Sequence, residues 1–196
     1  MANELPYEII AGPLEVYIAP VGETMPAVTA EPPAGNWVLL GTVGDTEYSE
    51  EGVHVRHTET VEDYKSLGST APVKSFRTEE GLMISFVLND LTLEEYSRVL
   101  NANTVALSSN DKTLSMYKGG PVATRALLVR GADMGPYGTA YNIQWEIPRV
   151  RPSGDQDIVF AKGAPAGLQV EFTALIDLDA ASDAARFGLI RTQYQN

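Results

Sequence analysis

The chain has 196 residues, 44% of them hydrophobic, which suits one domain with a sizeable core. It has no cysteine, and this excludes disulfides, thiolate metal sites and thiol catalysis. With 14 Lys and Arg against 26 Asp and Glu, its formal charge of −12 argues against gripping nucleic acid through phosphates; such acidity more commonly keeps a protein soluble.

No stretch approaches 18 consecutive apolar residues, and the start MANELPYEII lacks the basic and apolar runs of a signal peptide, so the expectation is a soluble, non-exported protein. In chain order, the first strand signal is LEVYIA, where Leu14, Val16 and Ile18 share one face. Residues 22–35, with Pro26, Pro32 and Pro33, read as a surface loop. From Asp45 to Asp63 there are seven acids (Asp45, Glu47, Glu50, Glu51, Glu59, Glu62, Asp63) and one fixed base, Arg56. The H-x-x-H of His54 and His57 falls in a strand-like stretch. There the two rings point to opposite faces and cannot close on one metal ion.

Next comes VEDYKSLGSTAPVKSF, residues 61–76. Its apolar residues Val61, Tyr64, Leu67, Pro72, Val73 and Phe76 fit neither strand alternation nor one helical stripe, and Gly68 interrupts its centre. It reads as a long inter-strand loop carrying much apolar surface. Residues 64–77 hold Lys65, Lys74 and Arg77 with no acid, so charge is segregated along the chain. Either a solvated acidic face lies beside an unrelated basic loop, or a basic arm of one copy meets an acidic surface on another.

GLMISFVLND predicts a strand with Leu82, Ile84, Phe86 and Leu88 on one face and Ser85 and Asn89 on the other. DLTLEEYSRVLN predicts one helix, with a capping box of Thr92 and Glu95, a staple of Leu91 and Tyr96, and Tyr96, Val99 and Leu100 facing the sheet. Tyr141, Ile143, Trp145 and Ile147 alternate with Asn142, Gln144 and Glu146 up to Pro148. Leu168, Val170, Phe172, Ala174 and Ile176 alternate with Gln169, Glu171, Thr173 and Asp177. SDAAR at 182–186 offers an N-cap and helix formers for a second short helix. DLDAASD superficially resembles a calcium loop, but it lacks the glycine at the sixth position and the glutamate at the twelfth, so capping or solvation is the simpler reading.

One buried and one wet face per strand predicts a mainly β fold, a sandwich or barrel of antiparallel strands flanked by one α-helix with a long inter-strand loop. The whole chain, 1–196, reads as one domain. There is no G-x-S-x-G elbow, phosphate-binding glycine loop or dinucleotide fingerprint, and no pair of carboxylates stands out. The chain is expected not to be an enzyme and to need no cofactor.

The order of an acidic stretch, VRHTETVEDYKSLGSTAPVKSFRTEEG, the strand MISFVL and a helix resembles the tail tube (major tail) proteins of long, non-contractile-tailed bacteriophages. The carboxyl-terminal DAARFGLIR adds to that resemblance, which covers residues 37–102 in good register and the last thirty more loosely. It also looks akin to the ring-forming tube protein of type VI secretion.

The resemblance implies hexameric rings stacked into a tube through which the phage genome passes. Tape measure and tail-end proteins would be partners, and no membrane or small-molecule substrate would be involved. The location implied is the tail of the virion, after assembly in the host cytoplasm. It also implies that the segment at about 61–76 reaches the adjacent ring. Tyr64, Lys65, Leu67, Pro72, Val73 and Lys74 are then the inter-ring contacts.

Four strands from each of six copies would close a barrel about 45 to 50 Å across, at about 4.8 Å strand spacing and about 40° tilt, with room for a duplex. Six copies at −12 each make −72, and a polar lumen would repel phosphates. The polar strand faces give Thr58, Thr60, Ser85, Gln144, Glu146, Gln169 and Glu171 as lumen candidates. Alternatives are another ring-forming tail component, such as a terminator or a secretion-type tube, or a β-sandwich carbohydrate-binding module or hydrolase. The last of these predicts an aromatic platform or a carboxylate pair in a cleft, but Trp37 and Trp145 both sit in strand patterns and read more simply as core.

Overall fold

The computed structural model describes residues 10, 12–138, 140–153, 157–158, 160–163 and 165–194. Among these described residues ten strands and one α-helix follow in chain order: β1 (Glu15–Ala19), β2 (Val38–Leu39), β3 (His54–Tyr64), β4 (Lys74–Leu88), α1 (Leu93–Leu100), β5 (Val105–Leu107), β6 (Lys112–Leu114), β7 (Arg125–Gly131), β8 (Ile143–Pro152), β9 (Leu168–Ala174) and β10 (Leu189–Thr192). The main sheet runs β2-β1-β7-β8-β9-β4-β3, with β10 also on β8, and β5 and β6 form a separate two-stranded sheet. All the described pairings are antiparallel, as the alternating faces predict.

Alternation holds most cleanly in β9, where Leu168, Val170, Phe172 and Ala174 are buried and Gln169, Glu171 and Thr173 are not. The same is true of the second half of β4, where Ile84, Phe86 and Leu88 are buried. These residues join Val16 and Ile18 of β1, Leu127 and Val129 of β7, Ile147 and Val150 of β8, and Val99 of α1 in one apolar cluster. Strands β1 and β4 are not adjacent in the sheet yet meet in that cluster. The sheet therefore curls, and its concave face is the core.

On β1 and β7 both faces are buried, and neither strand alternates. Their second face forms a smaller cluster of Tyr17, Ala19, Trp37, Ala126 and Leu128, closed by Met25 and Leu39. The proline-rich connection between β1 and β2 supplies that cover, pinned where the Trp37 Nε1 donates to the Thr24 carbonyl at 3.1 Å. Trp145 packs half-buried on the main cluster. Both tryptophans are thus core residues rather than an exposed platform.

Strand β8 continues beyond Pro148, where the sequence pattern predicted its end. A proline in a strand removes one ladder donor and needs an irregular position. It has one here. β10 pairs with residues 143–146 of β8 and β9 with 150–152, so Pro148 lies between those two partners and opposite the register shift at Arg125 and Leu127.

Helix α1 starts as predicted with Thr92 as N-cap, its Oγ1 accepting from the Glu95 amide at 3.5 Å. The reciprocal half of the capping box is replaced. Asp90 Oδ1 accepts from the Thr92 amide at 2.9 Å, while the Glu95 carboxylate turns inward to Arg98 and to the Gly41 amide at 3.2 Å. Val99 and Leu100 are buried as expected. At 182–186 the chain forms only a 3-10 turn at Asp183–Ala185, and the Ser182 side chain makes no capping bond.

Asp90 also accepts from the amide (3.0 Å) and hydroxyl of Thr42, so it ties the helix start to the connection between β2 and β3. Burial pushes its carboxyl up, but the hydrogen bonds from Thr42 and Thr92 outweigh this and hold it below the ordinary value. A lowered folded-state pKa means that the ionised form stabilises the fold above the ordinary carboxylate pKa of about 3.9, and that this contribution fades as pH falls through the folded value. Asp90→Asn should therefore cost about 1 to 2 kcal/mol at neutral pH. Thermal melts should show the gap to the parent narrowing below about pH 4, and a gap constant into strong acid would contradict the assignment.

Candidate assembly surfaces

Strands β3 and β4 pair from His54 and Ser85 out to Tyr64 and Lys74. Strand β9 accompanies β4 only over residues 83–88, and β3 has no described strand on its outer side. Beyond that point the hairpin is a bare two-stranded ribbon. Residues 57–64 of β3, at about 3.4 Å each, make it about 27 Å long. Every described residue from 56 to 80 except Ser69 is exposed.

The ribbon holds itself together through its ladder and through surface pairs: Arg77 Nε with Glu59 Oε2 at 2.8 Å, His57 Nε2 with Glu80 Oε1 at 2.9 Å, and Ser75 Oγ donating to Asp63 Oδ1 at 2.6 Å. Exposed pairs of this kind contribute about 0 to 1 kcal/mol each. A lone two-stranded hairpin is marginal in water.

The connection expected over 61–76 is therefore narrower than the sequence suggested. Residues 61–64 and 74–76 are strand, and the loop proper is 65–73, turning at Leu67 and Gly68. Tyr64, Lys65, Leu67, Pro72, Val73 and Lys74 are all exposed at this one tip. Leu67 is completely exposed (108%), and Tyr64, Val73, Val61 and Phe76 are about half exposed. The Lys74 ammonium lies over the Phe76 ring, 5.0 Å from its centre.

One irregularity shapes the arm. Thr60 pairs with Glu79 and Val61 with Arg77, so Thr78 is an extra residue on β4. This bulge shifts the alternation of β4. It puts Lys74 and Phe76 on the same face as their partners Tyr64 and Glu62, and Arg77 on the face of Val61 and Glu59.

Of the seven lumen candidates, five share one outward face of β3, β4 and β9. Ser85 is paired with both His54 and Glu171, Val87 with Gln169, and Thr58 and Thr60 follow His54 at even steps. Ser153 Oγ donates to Glu171 at 2.8 Å on that face. Arg56 and Arg151 stand there beside Glu79 and Glu171, so the chain's acidity is not concentrated on it.

Gln144 and Glu146 do not belong to that face. They are 0% and 4% exposed, beneath the β1–β2 connection. Main-chain carbonyls in that connection have no sheet partner and need donors, and side chains of the sheet provide them. Gln144 Nε2 donates to Pro26 O at 2.9 Å, Arg130 Nη2 to Ala27 O at 2.8 Å, Asn142 Nδ2 to Val28 O at 2.9 Å and Arg130 Nη1 to Ala30 O. Arg130, itself fully buried, donates to Gln144 Oε1 from Nε (3.2 Å) and Nη2 (2.7 Å). Glu146 accepts from Gln144 at 2.5 Å and from Arg191 of β10 at 2.7 and 3.2 Å. This polar face of β8 straps both the proline-rich connection and the carboxyl-terminal strand to the sheet.

At the end of β4 farthest from the arm tip lies a cleft of about 610 Å³. Val87, Asn89, Gly167 and Gln169 line it along the sheet, with Tyr48, Ser49 and Glu50 to one side and Asp157, Ala161 and Pro165 to the other. No motif marks it, because it joins three segments distant in the chain. Among the described residues no group of three His, Asp or Glu side chains is placed to hold a metal ion, and no helix is long and apolar enough to cross a membrane.

Comparison with known proteins finds no match among curated proteins. Over residues 1–189 the chain matches the family model described as phage tail tube protein.

Proposed function

Because this chain belongs to the phage tail tube protein family, a structural component of the virion tail that self-assembles into a tube, we propose that its copies form six-membered rings stacked through the β3–β4 arm. In this reading residues 1–196 act as one subunit domain and the segment at 61–76 is the stacking element. Tyr64, Lys65, Leu67, Pro72, Val73 and Lys74 contact the next ring. Thr58, Thr60, Ser85 and Glu171 face the lumen, with the candidate Gln169 at the rim of that face where it meets the cleft, and the genome passes without specific binding. Tape measure and tail-end proteins meet the tube at its core and ends, and subunits assemble in the host cytoplasm.

The observation that carries this reading is the arm itself. It is a two-stranded ribbon that, among the described residues, no third strand accompanies, and its tip leaves Leu67 fully exposed and Tyr64 and Val73 about half exposed. A ribbon with two free edges and an exposed leucine invites association, and joining a tube removes both liabilities. Conduction fits a polar face with no excess of base, on a subunit that carries −12.

Negative-stain microscopy of concentrated protein should show tubes whose cross-sections average with six-fold symmetry. Monodisperse monomers at the highest attainable concentration would overturn the proposal, and another rotational order would overturn the hexamer. In gel shifts at low salt, duplex DNA should not be retarded by either subunits or tubes.

A further inference from the structure

We propose that the cleft at the far end of β4, between 48–50 and 157–165, is the receptor for the arm tip of another copy of this chain; this rests on the arm being the stacking element. Three observations carry it. The first is position. The tip at Tyr64 and Lys74 and the cleft floor at Val87 and Asn89 lie at opposite ends of one continuous strand, on the order of 40 Å apart along it. A knob at one end and a socket at the other make a head-to-tail contact. Such a contact is heterologous, and wherever its rotation does not close a ring it propagates along an axis.

The second is chemistry. Tyr48, Val87, Ala161, Pro165 and Gly167 give the cleft a largely apolar lining, and the tip offers Leu67, fully exposed, with Tyr64 and Val73 about half exposed. The third is charge. The cleft residues include Glu50 and Asp157 and no base, and Glu51 lines the adjoining hollow with Gly52, His54 and Ser85. The tip carries Lys65 and Lys74 and no acid from 64 to 77. Apolar insertion ringed by opposite charges fixes register as well as affinity. It also explains why the acids of 45–51 and the bases of 65–77 are segregated along the chain.

The absence of cysteine makes the contact directly testable. Leu67→Cys protein mixed with Ala161→Cys protein and oxidised should give a disulfide-linked dimer, since bonding requires the two Cα atoms within about 7 Å. Leu67→Cys mixed with Tyr117→Cys, an exposed position elsewhere, should not.

Charge provides a second, independent measurement. Glu50→Lys with Asp157→Lys should raise the concentration at which tubes form by about tenfold or more, and Lys65→Glu with Lys74→Glu in the same chain should restore it. Parent tubes without the cross-link, or without sensitivity and rescue on charge reversal, would overturn the receptor assignment and leave stacking through the arm standing. Failure of the parent to form tubes, together with no cross-link, would overturn both.

Discussion

Replacing Tyr64 and Leu67 together by serine leaves the subunit folded and abolishes tubes. The folding half of this expectation follows from exposure. Both side chains lie on the ribbon beyond the last residue of β9, and Leu67 buries nothing in its own chain. Exposed substitutions of this kind usually change stability by no more than about 0.5 kcal/mol.

The assembly half follows from what stacking would bury. Taking a leucine or an aromatic side chain out of water contributes about 1.5 to 3 kcal/mol each, so the pair is worth roughly 3 to 6 kcal/mol for every arm. At about 1.4 kcal/mol per factor of ten, the concentration at which tubes appear should rise at least about a hundredfold. Circular dichroism melts check the fold, and sedimentation with microscopy checks assembly. Parental tube formation by the double variant would reject the arm as the stacking element.

The second large effect concerns stability alone. Gln144→Leu should cost about 3 to 5 kcal/mol, read as a fall in the urea midpoint with little change in slope. Gln144 accepts twice from the buried Arg130 guanidinium and donates to the Pro26 carbonyl and to Glu146. Leucine of similar bulk fills the space but removes the one oxygen that takes two hydrogen bonds from a buried cation, and it orphans a carbonyl. The unsatisfied groups, rather than lost packing, set the magnitude. A loss below about 1 kcal/mol would mean that water or rearrangement satisfies Arg130, and the strap would then not hold the connection down.

That network marks where sequence pattern and fold part company. In β9 the alternation of Leu168, Val170, Phe172 and Ala174 with polar residues was legible because one face meets the core and the other meets solvent. The same alternation of Ile143, Trp145 and Ile147 with Gln144 and Glu146 misled. A strand's polar face is wet only if nothing lies on it, and here a loop whose carbonyls need donors does. RALLVRG shows no alternation for the opposite reason. Both faces of β7 are buried, so there is no period to detect.

The arm escaped as strand because it buries neither face. Without a buried side, selection for alternation vanishes, and what remained readable was the excess of exposed apolar side chains and the segregation of charge. Those cues, with the resemblance, single out the segment that the structure shows as the projecting, exposed arm. They did not point to the cleft, because Tyr48, Val87, Ala161 and Gln169 share no motif and meet only through the fold.

The inserted residue on β4 reaches further than its own ribbon. Thr78 brings the Tyr64 and Phe76 rings to one side and bends the projection that bears them. In a stack of identical rings, any angle built into one projection is repeated at every level, so a small local bend becomes the screw of the whole filament. Deleting Thr78 keeps the ring-bearing side chains paired as they are and straightens their stem. With rings stacked through the arm as proposed, the expected product is a tube of altered helical pitch, measured by helical averaging of electron micrographs, and an unchanged pitch would reject Thr78 as its rotational gauge.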